Sequence, residues 1–284
     1  MAVGETGVQV HCHCLVADAN GRVRLARLAE FMRSVVADYA VPRSRLAAAR
    51  ERDHKHRSTS AVATVISEAR NTFTDLEKTG EGGELLLYLL AERFLKFPQV
   101  LCKMDLKTDP RLHYHGADGV YADVREDGVL KLYWSESKIY GDAASAIREA
   151  LASLAPFLIE PDNEQAERER DLVLLSDKAD LEDPILTGAF RQYFDKSSPK
   201  SNRVQYCGIA LVGFDADCYP QSDVQAVTED IASAAELGLS SWQRNISNRL
   251  IAEALEAFEI HVLCIPLPSA EKFRDEFLKS LGLK

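Results

Sequence analysis

The stretch HGADGVYADVREDGVLKLYWSESKIYGD, His115 to Asp142, decides the fold. It reads as two strands, GADGVYADV and GVLKLYWSESKIY, joined into a hairpin by the turn Glu126-Asp127-Gly128. The second strand begins apolar and aromatic, then carries Glu136 and Lys138. Ionised groups inside a strand are costly to desolvate unless something pairs with them. A bound cation or a charged substrate would do so. Side-chain alternation puts Glu136, Lys138 and Tyr140 on one face, and Ser135, Ser137 and Ile139 on the other. Asp118 stands on the partner strand, 18 residues upstream of Glu136. A long, slightly irregular hairpin brings it beside Glu136, so that two carboxylates and an amine converge.

The elements around the hairpin follow from their punctuation. Upstream, TGEGGELLLYLLAERFLKFPQ sets two glycines before a strongly apolar helix, from Glu81 to Lys96, stopped by Pro98. No Gly-Lys-Ser/Thr follows these glycines, so they do not form a phosphate-binding loop. They allow the helix start to pack closely against the sheet. VLCKMDLKT follows as a strand with Lys103, Asp105 and Lys107 on one face. Downstream, GDAASAIREALASLAPFLIE is a helix with Asp142 as its N-cap and Ile147, Leu151, Leu154 and Leu158 as its apolar stripe. VQYCGIALVGF and EIHVLCIPLP are continuous apolar runs, the mark of strands buried on both faces. A helical stretch over 222–257, interrupted near Gly238, separates them, and a helix over 269–281 closes the chain. Near the N-terminus, GVQVHCHCLVA alternates as a strand, residues 23–40 have helical spacing up to Pro42, and 59–70 is helical. The expected fold class is α/β, a central mixed sheet flanked by helices. The expected division is an N-terminal α/β extension over 1–75 and a main domain over 76–284.

Composition narrows the function classes. The 284 residues are 46% hydrophobic and 27% charged, an ordinary globular balance. No apolar run approaches the ~20 residues of a membrane helix, and no signal-peptide pattern is present. A cytoplasmic protein with no membrane contact is expected. The net charge of −10 argues against strong, unassisted binding to nucleic acid, where phosphate neutralisation supplies most of the affinity. Residues 160–183 hold ten acids and three bases and read as a solvated helix or loop. Residues 43–57 hold six bases and two acids, a surface for phosphate or simply a solvated face. The six cysteines, Cys12, Cys14, Cys102, Cys207, Cys218 and Cys264, mostly sit in apolar runs, as small buried hydrophobes do. In HCHC, alternation separates His11 and His13 from Cys12 and Cys14. A tetrahedral zinc site cannot be closed from that segment alone.

Two carboxylates are hard oxygen ligands that suit Mg²⁺, with Mn²⁺ as a substitute. A metal so held activates water and polarises a phosphoryl oxygen, and Lys138 beside it can stabilise charge on the phosphate. An acid at a helix N-terminus would complete the set. Glu84 is the candidate and Glu81 its substitute.

An acid followed by Glu-x-Lys on the next strand, with helices in this order, resembles the PD-(D/E)xK nuclease superfamily. More closely, TGEGGELLLYLLAERFL, KMDLKT, HGADGVYA and YWSESKIY resemble the HamA family, nuclease subunits of the Hachiman anti-phage system. The motifs cover roughly residues 70–160. The superfamily's proline is absent, since His115-Gly116-Ala117 precede Asp118. The resemblance implies a restriction-endonuclease-like core and metal-dependent DNA cleavage. It implies Asp118 and Glu136 as metal ligands, Lys138 as the catalytic amine and, less directly, Glu84 as the helix acid. It also implies a superfamily-2 helicase partner, HamB-like, and the acidic balance suits a nuclease to which that helicase delivers the strand. Lys103, Lys107 and Tyr140 are candidate DNA contacts.

Blander readings stand beside these. Glu136 and Lys138 are also what an exposed ion pair on an edge strand looks like. His113 and His115 suit a loop or packing role, and Trp242 beside Arg244 suits a core-edge indole next to a surface charge. The alternative to a nuclease is a non-catalytic adaptor of the same fold that binds DNA ends or the helicase. Glycoside hydrolysis by paired carboxylates leaves Lys138 without a role.

Overall fold

The computed structural model describes residues 3–4, 6–73, 80–101, 104, 116–159, 167–181, 183–220 and 225–284. Its centre is a six-stranded mixed sheet in the order β1-β6-β5-β4-β3-β2. The strands are β1 (Val8–Cys12), β2 (Gln99–Leu101), β3 (Gly119–Val124), β4 (Leu130–Tyr140), β5 (Val204–Asp215) and β6 (Ile260–Leu267). β1, β6, β5 and β4 run parallel, whereas β3 and β2 are antiparallel to their neighbours. The apolar runs of β5 and β6 occupy the interior of the sheet, as two-sided burial requires. β1 lies against β6 with Cys12 opposite Cys264, so the first and last strands share one sheet.

The β3–β4 hairpin forms where the sequence places it, with Gly119 opposite Ser135 and Val124 opposite Leu130. Its turn needs a left-handed residue, and Gly128 takes φ +78° while its N–H donates to the Arg125 carbonyl at 2.8 Å. A residue with a Cβ would be strained there.

Helices cover both faces. On one side lie α1 (Leu25–Ser34), α2 (Val36–Ala40), α3 (Arg43–His56), α4 (Ser60–Asn71), α5 (Glu81–Leu90) and α10 (Ala270–Leu281). They pack on Tyr121, Tyr133, Ile139, Ile209 and Leu211. On the other lie α6 (Ala143–Leu158), α7 (Glu167–Lys178), α8 (Pro184–Arg191) and α9 (Thr228–Ala252), over Leu132, Trp134, Ala210 and Val212. None of these helices is long and apolar enough to cross a membrane.

The structure corrects several expectations. α9 runs through Gly238 without a break. A Cβ there would lie 2.7 Å from Trp242, so the glycine makes room for the indole, which packs edge-on to Phe214 at 4.8 Å. The helix over 23–40 is two helices, parted at Val35. The apolar helix ends earlier than Lys96, in a π turn over Ala91–Leu95 that Lys96 closes at φ +66°. The basic run 43–57 is α3, and its Asp53 carboxylate accepts from Ala61 N and Val62 N at 3.0 and 2.9 Å, capping α4. The acidic run is not wholly solvated. Arg168 and Asp171 are 4% and 2% exposed, and Arg168 donates to the last carbonyls of α6, Leu158 and Ile159, at 3.2 and 3.3 Å. The boundary placed between residues 75 and 76 lies outside the described residues, as do Lys103, Lys107, His113 and His115.

Candidate active site on the central hairpin

The polar groups of the hairpin gather where β3 begins. β4 continues beyond Gly119, its last β3 partner, and loses that neighbour after Ser135. Asp118 fills the opening. Its N–H donates to the Ser135 carbonyl at 2.9 Å, and its carboxylate accepts from Ser137 N and Ser137 Oγ, each at 2.8 Å. The carboxylate thus takes the ladder position that a neighbouring strand's carbonyl would hold. The Ala117 amide, one residue earlier, donates to buried Asp171 of α7 at 3.3 Å. That contact fixes the backbone from which Asp118 projects.

Glu136 and Lys138 flank Ser137 on β4. The Lys138 ammonium contacts Glu136 Oε2 at 3.0 Å. β4 lies between β5 and β3, so this is no edge strand. Glu136 is 5% exposed, which excludes the reading of an ordinary surface pair. Burial pulls the Lys138 pKa down. The neighbouring Glu136 carboxylate, then that of Asp118, outweigh it, and the net shift is upward. Lys138 therefore senses both acids. Asp118 meets β4 at Ser137, between the two residues of the Glu-x-Lys pattern, rather than beside Glu136 alone. Tyr140 lies half-buried at the end of β4.

α5 brings its N-terminus to Ser137 from the opposite face of β4, the face that Glu136 and Lys138 turn away from. A Cβ on Gly83 would lie 3.1 Å from Ser137 Oγ, and one on Gly82 would lie 3.1 Å from Phe277 of α10. Two adjacent glycines therefore let α5 touch β4 on one side and α10 on the other. Glu81 and Glu84 both occupy the first turn, where the helix dipole favours acids. Glu81 is 4% exposed. Glu84 accepts from the hydroxyl of Tyr39 at 2.9 Å. Tyr39 is fully buried on α2, and its pKa stands well above the ordinary value, chiefly from burial and then from Glu84 and Asp118.

The structure thus brings together Asp118, Ser137, Glu136 and Lys138. Glu84 stands apart from the Glu136–Lys138 pair, held by Tyr39 on the α5 face of the sheet, where Ser137 rather than Glu136 is the strand neighbour of α5. Tyr39, Ser137 and Asp171 escaped the sequence reading. Ser137 does lie on the face away from Glu136 and Lys138, as alternation requires, and it reaches Asp118 from there; Tyr39 lies in a different part of the chain, and Asp171 is hidden among nine other acids of its run. Among the described residues, no group of three or more His, Cys, Asp or Glu side chains is arranged to hold a metal ion. Two oxygen-donor carboxylates, with a cation already resting on one of them, nevertheless match the donor chemistry of a hard divalent ion.

No curated protein matches the chain. A family model described as HamA matches residues 3–281, nearly the whole length. The chain belongs to the HamA family, and its place is in the Hachiman defence system.

Proposed function

We propose that this protein is the DNA-cleaving effector of its defence system, a metal-dependent nuclease controlled by a partner helicase. The observation that carries the reading is the Glu136–Lys138 pair at 3.0 Å, buried beside Asp118 at the opening of an interior hairpin. A carboxylate 5% exposed in mid-sheet is costly to desolvate. A fold that needed only stability would use an apolar residue there. Asp118 and Glu136 would hold Mg²⁺ or Mn²⁺, which supplies an activated water and charge neutralisation at phosphate. Lys138, kept protonated by both acids, would contact the phosphate oxygen on which charge develops. Ser137 fixes the Asp118 carboxylate, and Tyr39 fixes Glu84 at the helix start. The low DNA affinity expected of a chain with net charge −10 fits an enzyme that receives its strand from another protein. Lys103, Lys107 and Tyr140 remain candidate contacts for that strand.

The adaptor reading has one observation in its favour. The Asp118 oxygen that faces β4 already accepts two hydrogen bonds from Ser137, as in a closed structural network. Metal binding separates the two readings. Titration calorimetry with Mn²⁺ is expected to show binding to the wild type that Asp118→Ala and Glu136→Ala each abolish. Absence of Mn²⁺ binding to the correctly folded wild type would leave the adaptor.

A further inference from the structure

We infer that Cys12 and Cys14 form a reactive thiol pair that hydrogen peroxide converts into a reversible disulfide. The two sulfurs stand 3.9 Å apart. They share a face because residues two apart on an extended chain point the same way. Their histidine neighbours lie on the opposite face, where Phe94 packs edge-on to His11 and His13 at 5.2 and 4.5 Å. Two extended residues span about 6.5 Å between Cα atoms, near the upper limit that a disulfide tolerates. A bond formed there is strained and easily reduced, which suits a reversible modification rather than a permanent staple.

The surroundings single out one sulfur. Cys14 is half-buried, so small oxidants reach it. A hydrogen bond shared with the Cys12 thiol, and Tyr219 beside it, together outweigh burial and hold its pKa at about 7. The other described thiols are pushed the opposite way. Burial raises Cys207 and Cys264 to about 12 and Cys218 to about 11. The thiolate is the nucleophile, so Cys14 attacks and Cys12 resolves. The backbone holds the pair in place. His13 N donates to the Cys264 carbonyl at 3.0 Å, and Leu15 N donates to the Tyr219 hydroxyl at 2.9 Å.

The chemistry balances. The Cys14 thiolate attacks one peroxide oxygen, breaks the O–O bond, expels hydroxide and becomes a sulfenic acid. The Cys12 thiol then attacks the Cys14 sulfur, breaks its S–O bond and forms the S–S bond. The departing hydroxide leaves as water with the Cys12 proton. Overall, two thiols and one peroxide give one disulfide and two waters.

Peptide mapping by mass spectrometry tests this on the full-length wild type. At pH 7, alkylation by iodoacetamide is expected at Cys14 at least ~100-fold faster than at Cys207 or Cys264, from their thiolate fractions. After brief peroxide exposure, the peptide carrying both Cys12 and Cys14 should lose the mass of two hydrogens and regain it with dithiothreitol. Cys12→Ser should stop at the Cys14 sulfenic acid, trapped by dimedone, and Cys14→Ser should leave Cys12 reduced. Closure between Cys14 and Cys218, an intermolecular disulfide, or oxidation of Cys14 no faster than of Cys207 in the folded wild type would each overturn the inference.

Discussion

Glu136 and Lys138 set the energetics of the hairpin opening, because they form an ion pair at 3.0 Å in a place with little water. Glu136→Gln removes the acid and leaves a three-quarters-buried ammonium, Lys138 being 25% exposed. Because that ammonium keeps some solvent, the expected loss is about 1–3 kcal/mol, below the cost of breaking a fully buried pair. Urea unfolding would measure it. An unchanged midpoint would mean that Lys138 simply swings to solvent. The pair also predicts a pH dependence. The folded-state pKa of Lys138 is raised, so its contribution is complete below the ordinary lysine value and lost as the pH rises through the higher folded value. Wild type and Lys138→Met should therefore converge in stability above about pH 10.5. A second residue-scale prediction concerns Tyr39. Tyr39→Phe deletes the donor to Glu84 at 2.9 Å and should cost about 1–2 kcal/mol with the denaturant slope preserved. No change would show that the bond is dispensable.

Among the elements, α5 is the one whose placement the site depends on. Gly83→Ala sets a Cβ 3.1 Å from Ser137 Oγ and 3.4 Å from Ile139. Ile139 offers only its terminal methyl, but Ser137 Oγ can move aside only by disturbing its bond to Asp118, so about 1–3 kcal/mol should be lost. If the proposed activity is present, it should fall with Gly83→Ala more than with Ala91→Gly, a helix-lowering change at the far end of the same segment. Equal effects would make α5 a stability element only. α6 offers a simpler check. Asp142 accepts from Ser145 N at 2.8 Å, and Asp142→Ala should cost about 1 kcal/mol at neutral pH. Its pKa is lowered, chiefly by that backbone bond, so the difference should shrink as the pH falls below the ordinary aspartate value.

The same elements show how far the sequence could be read. Strand pairs with a two-residue period and a glycine turn, such as β3–β4, are legible because local chemistry dictates them. The α6 cap and stripe are legible for the same reason. α3 was not, since its buried face is Leu46, Ala49 and a capping Asp53 rather than an apolar stripe. The continuity of α9 depends on Trp242 folding over Gly238, a contact that no propensity contains. At the site, the Glu-x-Lys spacing was legible as a shared strand face. The role of Tyr39 was not, because 45 residues separate it from Glu84 and only packing brings them together.

At the scale of the whole molecule, charge and topology bear on regulation. The sheet joins β1 and β6 at one edge and holds the hairpin toward the other, so residues near both chain ends stabilise the fold that carries the site. With net charge −10, the isolated protein should bind duplex DNA only weakly at physiological salt. Tight binding of the isolated chain in a filter or anisotropy assay would remove the argument that a helicase must deliver the strand. The central claim is that the hairpin opening is a metal-dependent nuclease centre. It is tested most directly by incubating plasmid and linear duplex DNA with wild type, Glu136→Ala and Lys138→Ala, in Mg²⁺ or Mn²⁺, with and without the partner helicase and ATP. The account predicts cleavage by the wild type that needs the metal, is lost in both variants and is strengthened by the helicase. Cleavage indifferent to both substitutions, or none by the wild type under any of these conditions, would contradict it.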